Sequence, residues 1–215
     1  MASSLLTVAG ATFAALFPIA NPLGAAPVFA ALTASDDDAT RRRQAVRTAI
    51  YVFAILLVFL VAGRPILEFF GISVGVLRIA GGLIVAHTAW GMVTAQSRIT
   101  PEEHSHAVEK DDVSFTPMAM PLIAGPGAIG VVIGIATVDE AWANLLGAAV
   151  GVGLLSATVL VTLLAGERVL TRLGPGGIGA MTRILGFLIL AIAVQLVVAG
   201  IYSVTGHRAP GAFGP

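Results

Sequence analysis

Long apolar runs recur along this chain, and they limit its fold more than any other feature. An α-helix needs roughly 20 residues to cross a hydrocarbon core of about 30 Å. Four runs reach about that length almost without charge, at residues 45–62, 74–94, 144–165 and 180–204. Two more, at residues 5–32 and 115–137, are interrupted by proline and glycine. Because 57% of the residues are hydrophobic and 11% charged, we predict an all-α, polytopic membrane protein with six transmembrane helices.

Residue usage also argues against several classes of function. The chain has no cysteine, which rules out disulfides, thiolate metal sites and thiol catalysis. Its formal net charge is zero, so a nucleic-acid partner is not expected. The spans carry neither paired carboxylates nor a credible catalytic triad. We therefore predict no enzyme activity, no catalytic residue, no cofactor and no metal site.

The two halves of the sequence resemble each other. The segment RIAGGLIVA, which begins at Arg78, matches RILGFLILA, which begins at Arg183. The segment PIANPLGA, from Pro18, matches PLIAGPGA, from Pro121, at nearly the same offset. Two matches at one offset predict an internal repeat. Each copy holds three spans, an odd number, so the second copy enters the membrane with the opposite orientation, as in the inverted repeats of many secondary transporters.

The repeat predicts both the domain organisation and the orientation of the chain. Residues 1–97 are expected to form the first three-helix repeat, 98–114 a polar cytoplasmic linker, 115–205 the second repeat and 206–215 a short C-terminal tail. If both termini lie outside, most lysines and arginines fall in inner loops, which is the usual bias. Re-entrant hairpins would weaken that bias. We therefore expect helices that are broken but cross the membrane, with both termini outside.

The first helix of each repeat carries helix-breaking residues. In the first repeat they lie in FPIANPLGAAPVF, residues 17–29. Proline removes an amide donor, and a backbone break inside a membrane must face protein or water. Breaks at corresponding places in two repeats are typical of substrate or ion sites near the bilayer midplane, although two structural kinks would give the same pattern. The predicted substrate-binding residues are Asn21, Pro22, Gly24, Gly125, Pro126 and Gly127.

Four polar side chains inside the predicted spans are candidates for a functional role. Arg78 and Arg183 could snorkel to the interface, cap the carbonyls of a broken helix, or bind a substrate carboxylate. His87 and Gln195 fall near span centres, where a polar side chain suggests ion coupling or a polar pore. A neutral, hydrogen-bonded packing role for His87 is equally compatible with the sequence.

Glycine pairs spaced four residues apart predict close contacts between helices. They are Gly71/Gly75, Gly130/Gly134 and Gly147/Gly151. Such faces also allow a homo-oligomer.

The runs NPLGAAPVFAALT, FGIS, LRIAGG and PLIAGPGAI are similar to those of the MarC family of bacterial inner-membrane proteins, in the same order along nearly the whole chain. The resemblance implies a multi-pass protein of the bacterial inner membrane. Some relatives have been assigned to the transport of small neutral amino acids, so the resemblance also implies that substrate class. The family name, from multiple antibiotic resistance, reflects genetic context and does not imply drug efflux.

We therefore expect a secondary transporter of small neutral solutes, amino acids first, with a midplane site between two broken helices. The expected partners are a small-molecule substrate, H⁺ or Na⁺ as coupling ion, and the lipid bilayer. One alternative is a channel or facilitator that uses the same breaks. Another is a membrane scaffold or regulatory protein without a substrate.

Overall fold

The structure, a computed structural model, describes residues 2–94, 112–137 and 142–206. Within these ranges every regular element is a helix, which confirms the expected all-α class. In chain order the helices are α1 (Ala2–Ala20), α2 (Pro22–Leu32), α3 (Asp38–Phe69), α4 (Val74–Val93), α5 (Ser114–Ile123), α6 (Pro126–Ala136) and α7 (Trp142–Thr205). Most of the predicted linker and C-terminal tail lies outside the described residues.

Four helical segments are long and apolar enough to cross a membrane, and α7 supplies two of them. Gly174 interrupts α7 with a left-handed φ of 63°, which glycine adopts without steric cost. We call the segments on either side of it the first arm, Trp142–Gly166, and the second arm, Gly179–Thr205. Together with α3 and α4, the arms correspond to the four uninterrupted apolar runs of the sequence.

Two further spans are present only if each pair of bent helices is counted as one. The axes of α1 and α2 differ by 46°, and those of α5 and α6 differ by 63°. Both bends lie where the sequence predicts a break, since α2 begins at Pro22 and α6 begins at Pro126. Proline is favoured at the first position of a helix, where no amide donor is needed.

The long helix α3 begins well before the apolar run that predicts it, because Asp37 caps its N-terminus. The Asp37 carboxylate accepts a hydrogen bond from the Thr40 amide at 2.9 Å. Hydrogen bonds from Thr40 hold the pKa of Asp37 below its usual value. The cap extends α3 to 32 residues, so that its charged first turns lie outside the apolar run.

The span formed by α5 and α6 is less regular than the sequence predicts, because α5 has two interruptions of its own in addition to the expected break before Pro126. Thr116 and Met120 have the extended backbone angles of a strand, with φ of −121° and −132°. Each precedes a proline, Pro117 or Pro121, whose ring disfavours the helical conformation of the residue before it. The prediction considered Pro126 as the helix breaker and gave no weight to these two prolines.

Helix α4 packs along the second arm of α7 at glycine contacts. A Cβ on Gly82 would lie 2.9 Å from the carbonyl oxygen of Ala193, and one on Gly186 would lie 3.2 Å from that of Ala89. Side chains at either glycine would force the two helices apart.

The other long helices pack against the broken spans of the opposite half of the chain. On the first arm of α7, a Cβ on Gly151 would lie 2.6 Å from the carbonyl oxygen of Ala9 in α1. On α3, the Thr48 hydroxyl donates to the carbonyl of Ser114 at the start of α5, at 3.2 Å. The contact between Gly151 and α1 confirms that Gly147/Gly151, one of the predicted glycine pairs, permits close helix contact.

Candidate functional site

Asn21 forms the first break and closes it with its own side chain. Its φ of 43° and ψ of 63° are left-handed, a conformation that asparagine tolerates better than most residues. The Asn21 Oδ1 accepts the Gly24 amide at 3.0 Å and so caps α2. Its Nδ2 lies 3.7 Å from Sδ of Met92 on α4, and the residue is 1% exposed. Asn21 therefore fixes the bend and ties it to α4.

Gly24 is required by the side chain of Asn21. A Cβ at this position would lie 2.3 Å from Asn21 Nδ2 and 2.9 Å from Cγ. The space beside Gly24, which the sequence analysis assigned to a ligand, holds the asparagine amide. A direct contact between Gly24 and a substrate stays a prediction.

The second break has no side-chain cap. Gly125 is extended, with φ of −76° and ψ of 178°, and Pro126 starts α6 directly after it. Glycine is needed at this position because a Cβ would lie 2.3 Å from the carbonyl oxygen of Pro121. The backbone of Gly125 therefore passes close to the Pro121 carbonyl before the chain enters the first turn of α6.

The two breaks meet at Gly127. A Cβ on Gly127 would lie 3.5 Å from Cγ2 of Ile19, just before the first break, and 2.6 Å from Cγ2 of Val85 on α4. Ile19 is 9% exposed and Val85 is 1% exposed. Buried aliphatic side chains therefore form a layer around Gly127, where the two breaks meet, and substrate binding by the six predicted residues stays a prediction.

A cavity of about 230 Å³ lies beside this layer, between α1, α4, α6 and the second arm of α7. It exists because small residues face one another across the helix contacts. A Cβ on Gly130 would lie 3.5 Å from Cα of Gly81, whereas one on Gly134 would meet nothing within 4 Å. The lining residues are Ala15, Leu77, Arg78, Gly81, Gly130, Val131, Gly134, Ile135 and Leu196.

Within the described part of the chain, Arg78 is the sole ionisable residue of this lining. It lies about one helical turn inside α4, and its side chain is partly buried. Among the described residues it has no hydrogen-bond or ion-pair partner. The capping of broken-helix carbonyls by Arg78 is therefore not seen in the described part of the chain, and the guanidinium is available to a ligand.

The other three polar residues predicted to act inside the membrane lie away from the cavity. Arg183, His87 and Gln195 have exposed side chains. His87 shares its face of α4 with Leu83 and Trp90, which are 59% and 57% exposed. Their predicted roles in coupling, capping or substrate binding stay predictions, and none of them is part of the cavity.

The sequence analysis missed Gly81 and Ala15 as cavity residues and interpreted Gly130 and Gly134 only as helix contacts. That interpretation is right for Gly130, which contacts Gly81, but Gly134 faces open space. The available signal was the glycine pair next to Arg78 in LRIAGG. Within the described residues, no group of three or more side chains of the metal-ligating types is close enough to hold a metal ion.

Comparison with known proteins gives a consistent result over almost the whole chain. A family model described as "MarC family integral membrane protein" matches residues 6–205. A UPF0056 membrane protein of Methanocaldococcus jannaschii is 40% identical over 192 residues, covering 88% of this chain and 93% of the relative. The UPF0056 inner membrane protein MarC of Escherichia coli K12 is 34% identical over 213 residues, covering 93% and 96%. No solved structure gives a significant match.

Proposed function

The chain belongs to the MarC family of integral membrane proteins, and we propose that it is a secondary transporter of small neutral solutes, amino acids first. The observation that carries this proposal is the meeting of two broken spans at Gly127, beside a cavity whose one arginine has no partner among the described residues. Broken helices beside a small cavity are the usual construction of transporter sites. The name of the Escherichia coli relative supports a location in the bacterial inner membrane.

Helix packing supports an inverted repeat. Helix α3 of the first half packs on α5 of the second half, through Thr48 and Ser114. The first arm of α7 packs on α1 and α2 of the first half, through Gly151 to Ala9 and Gly166 to Ala26. A pseudo-two-fold axis that relates the two repeats would exchange these two sets of contacts, as in the inverted repeats of secondary transporters.

A carrier fits the cavity better than a channel does. At the level of the breaks, Gly127 lies against Ile19 and Val85, whose side chains are buried. An open channel or facilitator needs a continuous path, whereas a carrier needs a closed layer that rearranges during each cycle. The coupling ion in this proposal is Na⁺ or H⁺, and the exposed position of His87 gives no support to a proton path through that residue.

Counterflow in proteoliposomes tests this function. Vesicles containing the full chain and loaded with unlabelled alanine are diluted into [¹⁴C]alanine, with and without Na⁺ or pH gradients. A carrier gives transient accumulation of label above equilibrium, and the effective gradient identifies the coupling ion. Label that only equilibrates would indicate a channel, and uptake no greater than in protein-free vesicles would indicate a scaffold.

A further inference from the structure

We propose that the cavity beside Arg78 binds the carboxylate of a small aliphatic solute, with the carboxylate on the guanidinium and the aliphatic tail against Gly81 and Gly130. This assignment rests on the proposed transport function and names the chemical class of solute that the cavity takes. It is drawn from three properties of the cavity: an unpaired cation, apolar walls and a small volume.

The first property is the charge. Cations inside membrane proteins normally pair with another group, because an uncompensated charge in low dielectric is costly. Arg78 has no such partner among the described residues, although it lines a cavity. A guanidinium binds a carboxylate through two parallel hydrogen bonds, a geometry that also fixes the orientation of the ligand.

The second property is the chemistry of the walls. Apart from Arg78, the lining consists of alanine, glycine, leucine, valine and isoleucine. An apolar wall favours a ligand with an aliphatic tail over a fully hydrated inorganic anion. None of the described lining residues is acidic, so none can receive an ammonium group. A plain monocarboxylate is therefore expected to bind at least as tightly as the amino acid of the same length.

The third property is the volume. At about 230 Å³ the cavity is smaller than the pockets of roughly 300–1,000 Å³ that hold drug-sized ligands. Arg78 and Gly81 lie about one turn apart on α4, and Gly134 and Gly130 lie one turn apart on α6. A ligand that spans this turn has only a few carbon atoms. Propionate and butyrate are thus suitable probes.

Equilibrium binding of [¹⁴C]butyrate to the full chain in phosphatidylcholine nanodiscs tests the assignment. We expect saturable binding that propionate displaces and that butyramide or an equal concentration of chloride does not. Arg78→Gln should weaken binding about tenfold or more, because it removes the charged hydrogen-bond donor. Gly134→Leu should also abolish binding, because it adds a side chain to a residue of the cavity lining where a Cβ would meet nothing within 4 Å.

Two matched controls separate these effects from general damage. Arg64→Gln removes an exposed arginine that pairs with Glu68, and Gly10→Leu adds the same side chain to an exposed helical glycine with open space around it. Neither change should alter butyrate binding. Melting temperatures of all four variants verify that the protein remains folded.

Four results would overturn the assignment: no saturable binding, binding retained by folded Arg78→Gln, equal displacement by butyramide or chloride, or binding of alanine without binding of propionate. These outcomes are distinct from a failure of the transport proposal. If butyrate binds through Arg78 but no carboxylate is carried in proteoliposomes, the site stands and the transport function fails. If solutes are carried without any dependence on Arg78, transport stands and the site fails.

Discussion

At the scale of single residues, the breaks can be explained by local chemistry. Asn21 takes a left-handed conformation, caps α2 with its side chain and precedes a proline at the first helical position. These preferences act within a few residues, which is why the sequence alone predicts the break. The role of Gly24 was not predictable in the same way, because its glycine requirement comes from the rotamer of Asn21 rather than from a ligand.

This explanation predicts a difference between two glycine substitutions. Ala in place of a helical glycine normally stabilises by up to about 1 kcal/mol. Gly10→Ala should show that gain, because nothing surrounds the new methyl group. Gly24→Ala displaces the Asn21 amide and loses the cap, so it should be less stable than Gly10→Ala by about 1–2 kcal/mol. Reversible unfolding in mixed micelles measures both, and equal stabilities would contradict the assigned role of Asn21.

At the scale of helices, a polar contact outside the apolar core fixes where α5 begins. Gln44 on α3 is 2% exposed. Its Oε1 accepts the Val113 amide at 3.0 Å, and its Nε2 donates to Asp36 at 2.7 Å. The contact joins the first half of the chain to the second across a long sequence separation, so no local pattern could predict it.

Replacing Gln44 should loosen this junction. Gln44→Leu leaves the Val113 amide buried without its acceptor, which typically costs about 1–3 kcal/mol. Gln195→Leu is the matched control, because Gln195 is exposed on the second arm of α7 and should tolerate the same change. Unfolding measurements compare the two variants. An equal loss of stability in both variants, or no loss in either, would argue against this role for Gln44.

At the scale of the whole molecule, the sequence predicts how many helices exist better than which of their faces meet. The apolar runs and the two breaks can be predicted from the sequence, because the length and hydropathy of a run and the effect of proline are local properties. The sequence also predicts that His87 and Gln195 lie near span centres. It does not predict that both side chains are exposed and lie outside the cavity lining. The cavity itself depends on Gly81 of α4 facing Gly130 of α6, and nothing in either local sequence indicates its partner.

The proposed inverted repeat makes a prediction about orientation. The distribution of lysine and arginine predicts that both termini lie on the outer side of the membrane. An alkaline phosphatase fused after the last residue should therefore be active, and a fluorescent protein that matures only in the cytoplasm should be dark. The opposite pattern would reverse the proposed orientation.

The central claim is that solute passes through the cavity between the broken spans, and alanine counterflow with the cavity filled tests it most directly. Gly134→Leu adds a side chain to the cavity lining where a Cβ would meet nothing within 4 Å, and Gly10→Leu adds the same side chain on an exposed surface. We predict that counterflow is lost in folded Gly134→Leu and retained in Gly10→Leu. Counterflow in Gly134→Leu at the rate of the unmodified chain would contradict the account.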